Sequence, residues 1–230
     1  MKGVLVNTRS LSVLSLTCLL FTILWLAFLI VGMISAGELN TFEKTLAYVS
    51  KLDTVFYLTY VNAALITVNA VMLFATLYIY YKPVALEWAT IGIVFVPIYG
   101  TMNLVAYLSQ ITIVPRLLQL QSIPDYQALS LFALHQVIQQ WPISAVAIVN
   151  NLAYAILGIP SIIFGVLMFK SASGLQFGGV LLALSGVASM AGFVGIAAQS
   201  SWLSQGSLIG GILFLLALVL MWWGFRISKT

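Results

Sequence analysis

The sequence predicts an all-α fold, a polytopic transmembrane bundle of six helices with both termini on the cytoplasmic side. Three observations carry this expectation. Apolar residues make up 62% of the chain and charged residues only 6%, six apolar stretches are each long enough to span a bilayer, and the basic residues gather in one set of connections. A soluble domain has roughly a quarter of its residues charged, so this chain could not cover itself with a wettable surface. Lipid is its natural solvent.

Crossing the hydrocarbon takes about 20 residues of helix, because every backbone polar group must be paired within the segment. The stretches that meet this condition are 11–35, 54–81, 84–108, 142–169, 175–199 and 207–227. The first is preceded by Lys2 and Arg9 and followed by Ser35, Ala36 and Gly37, flanks that also suit a cleaved signal peptide. Its apolar core exceeds the ~7 to 15 residues of such a segment, so it is read as a retained span, with cleavage as the alternative.

Orientation follows from lysine and arginine, which enrich short cytoplasmic loops. With the N-terminus inside, Lys2, Arg9, Lys82, Lys170, Arg226 and Lys229 are cytoplasmic, and Lys44, Lys51 and Arg116 lie outside with Glu38, Glu43, Asp53 and Asp125. Aromatic side chains favour the headgroup level, and they sit at the expected boundaries. Tyr78, Tyr80, Tyr81, Trp88, Trp222 and Trp223 mark the inner face, and Tyr57, Trp141 and Trp202 the outer one.

Two outer connections are longer than a turn. Residues 36–53 place Leu39, Phe42, Leu46 and Tyr48 among charges, the pattern of a short interfacial helix. The connection after the third span holds Val114-Pro115-Arg116-Leu117-Leu118 and Pro124-Asp125, then 126–140, where Leu129, Phe132, Ala133, Gln136 and Val137 share a helical face suited to the membrane surface. The same connection divides the chain into halves of three spans. Their loop lengths and glycine positions do not correspond, which argues against a transporter-type repeat.

Several chemistries are excluded for a site built by this chain alone. The formal charge of +4 is scattered between apolar runs and forms no patch for nucleic acid. Cys18 is the single cysteine, so neither an intrachain disulfide nor a cysteine metal cluster can form. His135 is the single histidine, which removes bis-histidine haem and multi-histidine zinc sites. Every lysine lies in a loop, tail or flank, so a retinal Schiff base has no place. No metal or cofactor is expected, nor any catalytic residue. A serine paired with His135 is the remaining route to an intramembrane hydrolase, although no nucleophile motif surrounds that histidine. Otherwise His135 is the polar edge of an interfacial helix.

An ionisable residue deep in a membrane is costly and usually functional. Glu87, a few residues into the third span, is the nearest case: either a proton or cation site, or a carboxylate favoured by the positive end of the helix dipole. The neutral polar residues are more suggestive. At about 1.5 Å of rise per residue, Asn62, Asn103, Asn150 and Asn151 fall in the outer half of the bilayer, with Tyr99 and Tyr154 at similar depth. Asn62 and Asn69 share a face of the second span. An asparagine facing lipid would leave its amide unpaired, so these side chains should point inward. They form either a ligand cavity open to the outside or interhelical hydrogen bonds that set packing.

Gly206 and Gly210 make a GxxxG pair at the start of the sixth span, and Gly179, Ala183, Ser185, Ser189, Gly192 and Gly195 make the fifth slender. Such faces permit close helix approach, within the chain or between subunits of a homo-oligomer. Pro97 and Pro160 each remove a backbone hydrogen bond inside a span and are expected to kink it.

The order of Tyr81-Lys82-Pro83, YQALSLFALH ending at His135, and GIPSIIFGVLMFKSASGLQFGGVLLALSG resembles a family of bacterial six-helix membrane proteins classed as a domain of unknown function. The resemblance implies a fold of six helices and no known substrate, and it carries over no catalytic residue; the membrane expected is a prokaryotic cytoplasmic membrane. The function expected is non-catalytic: an accessory or scaffold subunit of a membrane complex, or a binder of lipid-like molecules, with membrane lipids and other membrane subunits as partners. The alternative is a small transporter for a neutral or amphipathic solute.

Overall fold

The computed structural model describes residues 8–171 and 173–227. Among these residues all regular structure is helical. The α-helices are α1 (Thr8–Ala36), α2 (Phe42–Val49), α3 (Thr54–Tyr81), α4 (Leu86–Leu120), α5 (Gln127–Val137), α6 (Ala145–Phe169), α7 (Gln176–Ala197), α8 (Ser201–Ser204) and α9 (Gly206–Ile227). Six segments, namely α1, α3, α4, α6, α7 and the α8–α9 stretch Ser201–Ile227, are long and apolar enough to cross a bilayer. The protein is a six-span, all-helical membrane protein, with short helices α2 and α5 in its two long connections. Lys2 and Lys229, on which the expected orientation partly rests, lie outside the described residues.

Local chemistry sets the helix ends. Gly37, at φ +67°, donates its N–H to the Met33 carbonyl at 3.2 Å and closes α1 in a left-handed cap, where glycine carries no Cβ penalty. Helix N-termini leave backbone N–H groups without intrahelical partners, and short polar side chains take them up. The Thr41 hydroxyl accepts the Lys44 N–H at 3.3 Å to start α2. Asp53 accepts the Phe56 N–H at 2.8 Å to start α3, and Ser144 accepts the Ala147 N–H at 3.0 Å to start α6.

One boundary departs from expectation. The third span does not end at 108: α4 runs unbroken to Leu120 and takes in Pro115. Beyond 108, Ile111, Val114, Leu117 and Leu118 recur at helical spacing and pack against one apolar cluster, with Val114 fully buried. That burial outweighs the hydrogen bond lost at the proline.

The described residues fall into two compact units. The first comprises residues 8–20, 67–101, 151–171 and 173–227. Within it, a Cβ on Gly165 would lie 2.6 Å from the Gly179 carbonyl and one on Gly158 2.7 Å from the Gly186 carbonyl, so α6 and α7 meet backbone to backbone. Gly206 faces the Ala188 carbonyl and Gly210 faces Ser189, so the GxxxG pair of α9 and the small-residue face of α7 engage each other within one chain. The Ser12 hydroxyl donates to the Trp222 carbonyl at 3.1 Å, and Phe74 packs on Phe164 at 5.9 Å.

The second unit comprises residues 21–66 and 102–150. Its core is Val49, Phe56, Tyr60, Ala63, Tyr107, Val114, Leu134 and Ile138, drawn from α2, α3, α4, α5 and the residue that follows α5. Helix α5 presents Ser130 and Leu134 to the interior, while Leu129 (65% exposed) and Phe132 (67%) project outward. The apolar face read from the sequence is therefore divided: Val137 packs on the core, and Leu129 and Phe132 stay uncovered.

Candidate ligand cavity

The second unit holds a half-open cavity of about 230 Å³. Helix α1 contributes Trp25, Phe28, Leu29, Gly32, Met33 and Ala36, and the segment after it Leu39. Tyr48 enters from α2, Phe56, Thr59 and Tyr60 from α3, Tyr107 from α4, and Gln139 and Gln140 from the segment after α5. No acidic or basic side chain is among these. The lining is an aromatic and aliphatic wall that includes three tyrosines, one threonine and two glutamines.

Gly32 and Tyr48 fit together. A Cβ on Gly32 would lie 2.8 Å from the Tyr48 hydroxyl, so the absent side chain is what lets the ring rest against α1. Burial pushes the Tyr48 phenol above its ordinary range, against the opposing effect of a hydrogen bond with Ser35. The ring is thus a neutral hydrogen-bonding group at physiological pH. Phe56 and Tyr60 meet edge to face at 5.0 Å, and Tyr60 and Tyr107 lie 6.4 Å apart, which stiffens the α3 and α4 side of the wall. Beside the cavity, a shallower depression shares Ala36 and Tyr48 with it and adds Glu38, Lys44, Ala47 and Lys51.

Buried amides hold Gln139. Gln110, fully buried on α4, donates from Nε2 to the Val137 carbonyl at 2.9 Å, and its Oε1 accepts the Gln139 backbone N–H at 3.1 Å. The Gln139 side chain then donates from Nε2 to Asn150 Oδ1 at 3.0 Å, and Asn150 Nδ2 donates to Asn103 Oδ1 at 2.8 Å. Gln139 Oε1 and Gln140 Oε1 are buried and have no hydrogen-bond partner. A buried polar atom without a partner costs free energy, and here two such atoms belong to residues that line one cavity.

Helix α2 is clasped beside the cavity by aromatic stacking. The Phe42 ring lies 4.4 Å from His135 and 5.6 Å from Trp141, and His135 lies 5.5 Å from Trp141. His135 therefore serves as a packing platform for α2.

None of the polar residues singled out in the sequence lines this cavity. In the second unit, Asn62 donates to the Phe21 carbonyl at 2.8 Å and ties α3 to α1, while Asn103 and Asn150 form the amide ladder just described. In the first unit, Asn69 donates to the Thr17 hydroxyl at 2.8 Å, Asn151 accepts from Ser207 at 3.2 Å, and the Tyr99 and Tyr154 rings lie 5.9 Å apart. Glu87 is exposed in the first turn of α4, where the helix dipole favours a carboxylate. Lys82 nearby rests over the Tyr78 ring, 5.5 Å from its centroid.

Gln110, Gln139 and Gln140 escaped the sequence reading. Gln110 lay just beyond the boundary expected for the third span, and a glutamine in a loop ordinarily reads as solvated. The available signal was the run Gln136, Gln139, Gln140 directly before Trp141, a cluster of amides beside an interfacial aromatic.

No protein-family model matches the chain, and no curated protein or solved structure matches it. Function therefore has to be argued from the cavity and its chemistry.

Proposed function

We propose that the protein is a non-catalytic, multi-pass protein of a prokaryotic cytoplasmic membrane that binds a lipid-like molecule in the cavity of its second unit, in the manner of an accessory or scaffold subunit. The observation that carries this reading is the lining: an aromatic and aliphatic wall, free of acidic and basic side chains, with three tyrosines, one threonine and two glutamines as its polar residues. Ligand sites are usually apolar concavities with a small number of placed polar groups, of ~300 to 1,000 Å³ for drug-sized molecules. At about 230 Å³ this one suits the head and first carbons of a single-chain amphipath, with the rest of the chain outside.

Native mass spectrometry of the gently solubilised protein, with organic extraction of the same sample, tests the reading. Wild type is expected to retain one defined lipid-like molecule, and Gly32→Leu, which places a branched side chain in the cavity, to lose it while keeping its helical circular dichroism. Wild-type protein that retains nothing, or a Gly32→Leu variant that retains the same molecule, would overturn the assignment to this cavity. Co-purification with another membrane chain would support the accessory role.

A further inference from the structure

The cavity and the depression beside it differ in charge and in depth. On α1 the cavity lining recurs at helical spacing from Ala36 through Gly32 and Phe28 to Trp25, about 16 Å along the span at ~1.5 Å per residue. It carries no acidic or basic side chain. The depression adds Glu38, Lys44, Ala47 and Lys51, which belong to the connection between the spans α1 and α3. Such a connection lies beyond the hydrocarbon, at the level of the headgroups. Ala36 and Tyr48 line both hollows, so the apolar one and the charged one adjoin at the end of α1.

Helix α2 and the turn that closes it bring two cations to this junction. Lys44, Ala47, Tyr48 and Lys51 follow one another at positions i, i+3, i+4 and i+7, which share a helical face. The Lys51 ammonium lies 5.7 Å from the centroid of the Tyr48 ring, within cation–π range. That ring is seated on α1, its hydroxyl hydrogen-bonded with Ser35 and set opposite Gly32. The acidic groups of the connection are engaged locally. Glu38 accepts from Asn40 Nδ2 at 3.4 Å, Glu43 is held by its own backbone N–H and Thr41, and Asp53 accepts the Phe56 N–H at 2.8 Å. The depression therefore sets two lysines against one glutamate.

Resting on the lipid-binding reading above, we infer that the ligand is a single-chain amphipath with an anionic head, a carboxylate or a phosphate, whose charge is held by Lys44 and Lys51 while the carbons next to it pass Tyr48 into the cavity. Polarity along such a molecule matches polarity along the site, with the anion at headgroup level and hydrocarbon toward the bilayer centre. A neutral head would gain no charge pairing from the lysines, and a cationic one would be repelled. Each lysine near a membrane surface is worth about fivefold in affinity for an anion, and Glu38 offsets part of the product.

Three probes that share an oleoyl chain test the head: oleate, 1-oleoyl lysophosphatidate, and uncharged monoolein. Each is added to the full-length, delipidated protein in mildly alkaline buffer, where both acids are ionised, and retention is read by native mass spectrometry. At least one anion is expected to bind about tenfold more tightly than monoolein, and the tighter of the two identifies the head as carboxylate or phosphate. The preference should shrink with added salt. It should be lost in Lys44→Gln/Lys51→Gln and kept in Lys44→Arg/Lys51→Arg, with monoolein binding alike in both. Arg116→Gln removes a charge from the same unit outside both linings and should leave the preference intact, whereas Gly32→Leu should lose all three probes. Monoolein bound as tightly as both anions, or a preference that survives Lys44→Gln/Lys51→Gln, would overturn the head-group inference and leave the lipid-binding reading standing. An anion preference retained in Gly32→Leu would show that the lysines act apart from the cavity and would overturn the joint site. Binding of none of the probes would overturn both readings.

Discussion

The side-chain carbonyl of Gln110 accepts the backbone N–H of Gln139 at 3.1 Å, and the same amide donates to the Val137 carbonyl at 2.9 Å. One buried side chain on α4 thereby supplies the hydrogen bonds that the chain gives up on leaving α5, and it does so at a residue that lines the cavity. Gln110→Leu removes both partners at once and leaves backbone groups unpaired in a buried setting. It is expected to destabilise the second unit by about 2 kcal/mol, read as a lower midpoint of thermal unfolding in detergent, and to weaken ligand retention through Gln139.

The glycines between α7 and α9 respond to methyl groups according to what stands opposite. A Cβ on Gly206 would meet the Ala188 carbonyl at 2.5 Å, and one on Gly192 would run into the backbone N–H of Ser207. Backbone cannot step aside as a flexible side chain can. Gly206→Ala and Gly192→Ala are each expected to cost about 3 kcal/mol by overpacking. Gly211, with nothing within 4 Å of its Cβ position, is the control: Gly211→Ala should leave the unfolding midpoint unchanged or raise it slightly.

Gly32 is a different case, because the atom opposite is the tip of the Tyr48 side chain. In the Tyr48→Phe background the hydroxyl is gone and Gly32→Ala should stabilise by about 1 kcal/mol, the helix-propensity gain of alanine over glycine. In the wild-type background the forced shift of Tyr48 should offset that gain. A double-mutant cycle of unfolding midpoints measures the difference, and additivity would show that the two residues do not meet.

Acid should loosen the start of α2. Glu43 is held below its ordinary carboxylate range by a hydrogen bond from its own backbone N–H, then by the Thr41 hydroxyl, with His135 adding a favourable charge. Its folded pKa is thus lower than its unfolded value of 4.5. By linkage, the contribution of ionised Glu43 is present in full above pH 4.5 and is lost as pH falls through the lower folded value. Emission from Trp141, which contacts Phe42 of α2, should change over this acid range in wild type and be flat across it in Glu43→Gln.

The legibility of the chain varied with the range of the interactions involved. The six spans and the two short connecting helices were readable, because length and hydropathy act within single segments. The shared face of Asn62 and Asn69 was readable too, and both donate to α1. The end of the third span was not: a proline at 115 argues locally for a stop, and only the burial of Val114 against residues such as Tyr60 and Leu134 overrides it. The polar site was half legible. Asparagines in apolar helices announced buried hydrogen bonding, but their partners include Phe21, Gln139 and Ser207, far away in sequence.

By itself, then, the sequence determined that the protein belongs in a membrane and how many times it can cross. A helix in lipid must satisfy its own backbone, so those properties are encoded one segment at a time. Only the tertiary structure decided that Gly206 faces Ala188 and that Asn150 bridges Asn103 and Gln139. The same holds for the cavity shared by Trp25, Tyr48 and Tyr107. Each of these depends on the register and rotation of one helix against another, and those are set by the fit of side chains from distant parts of the chain.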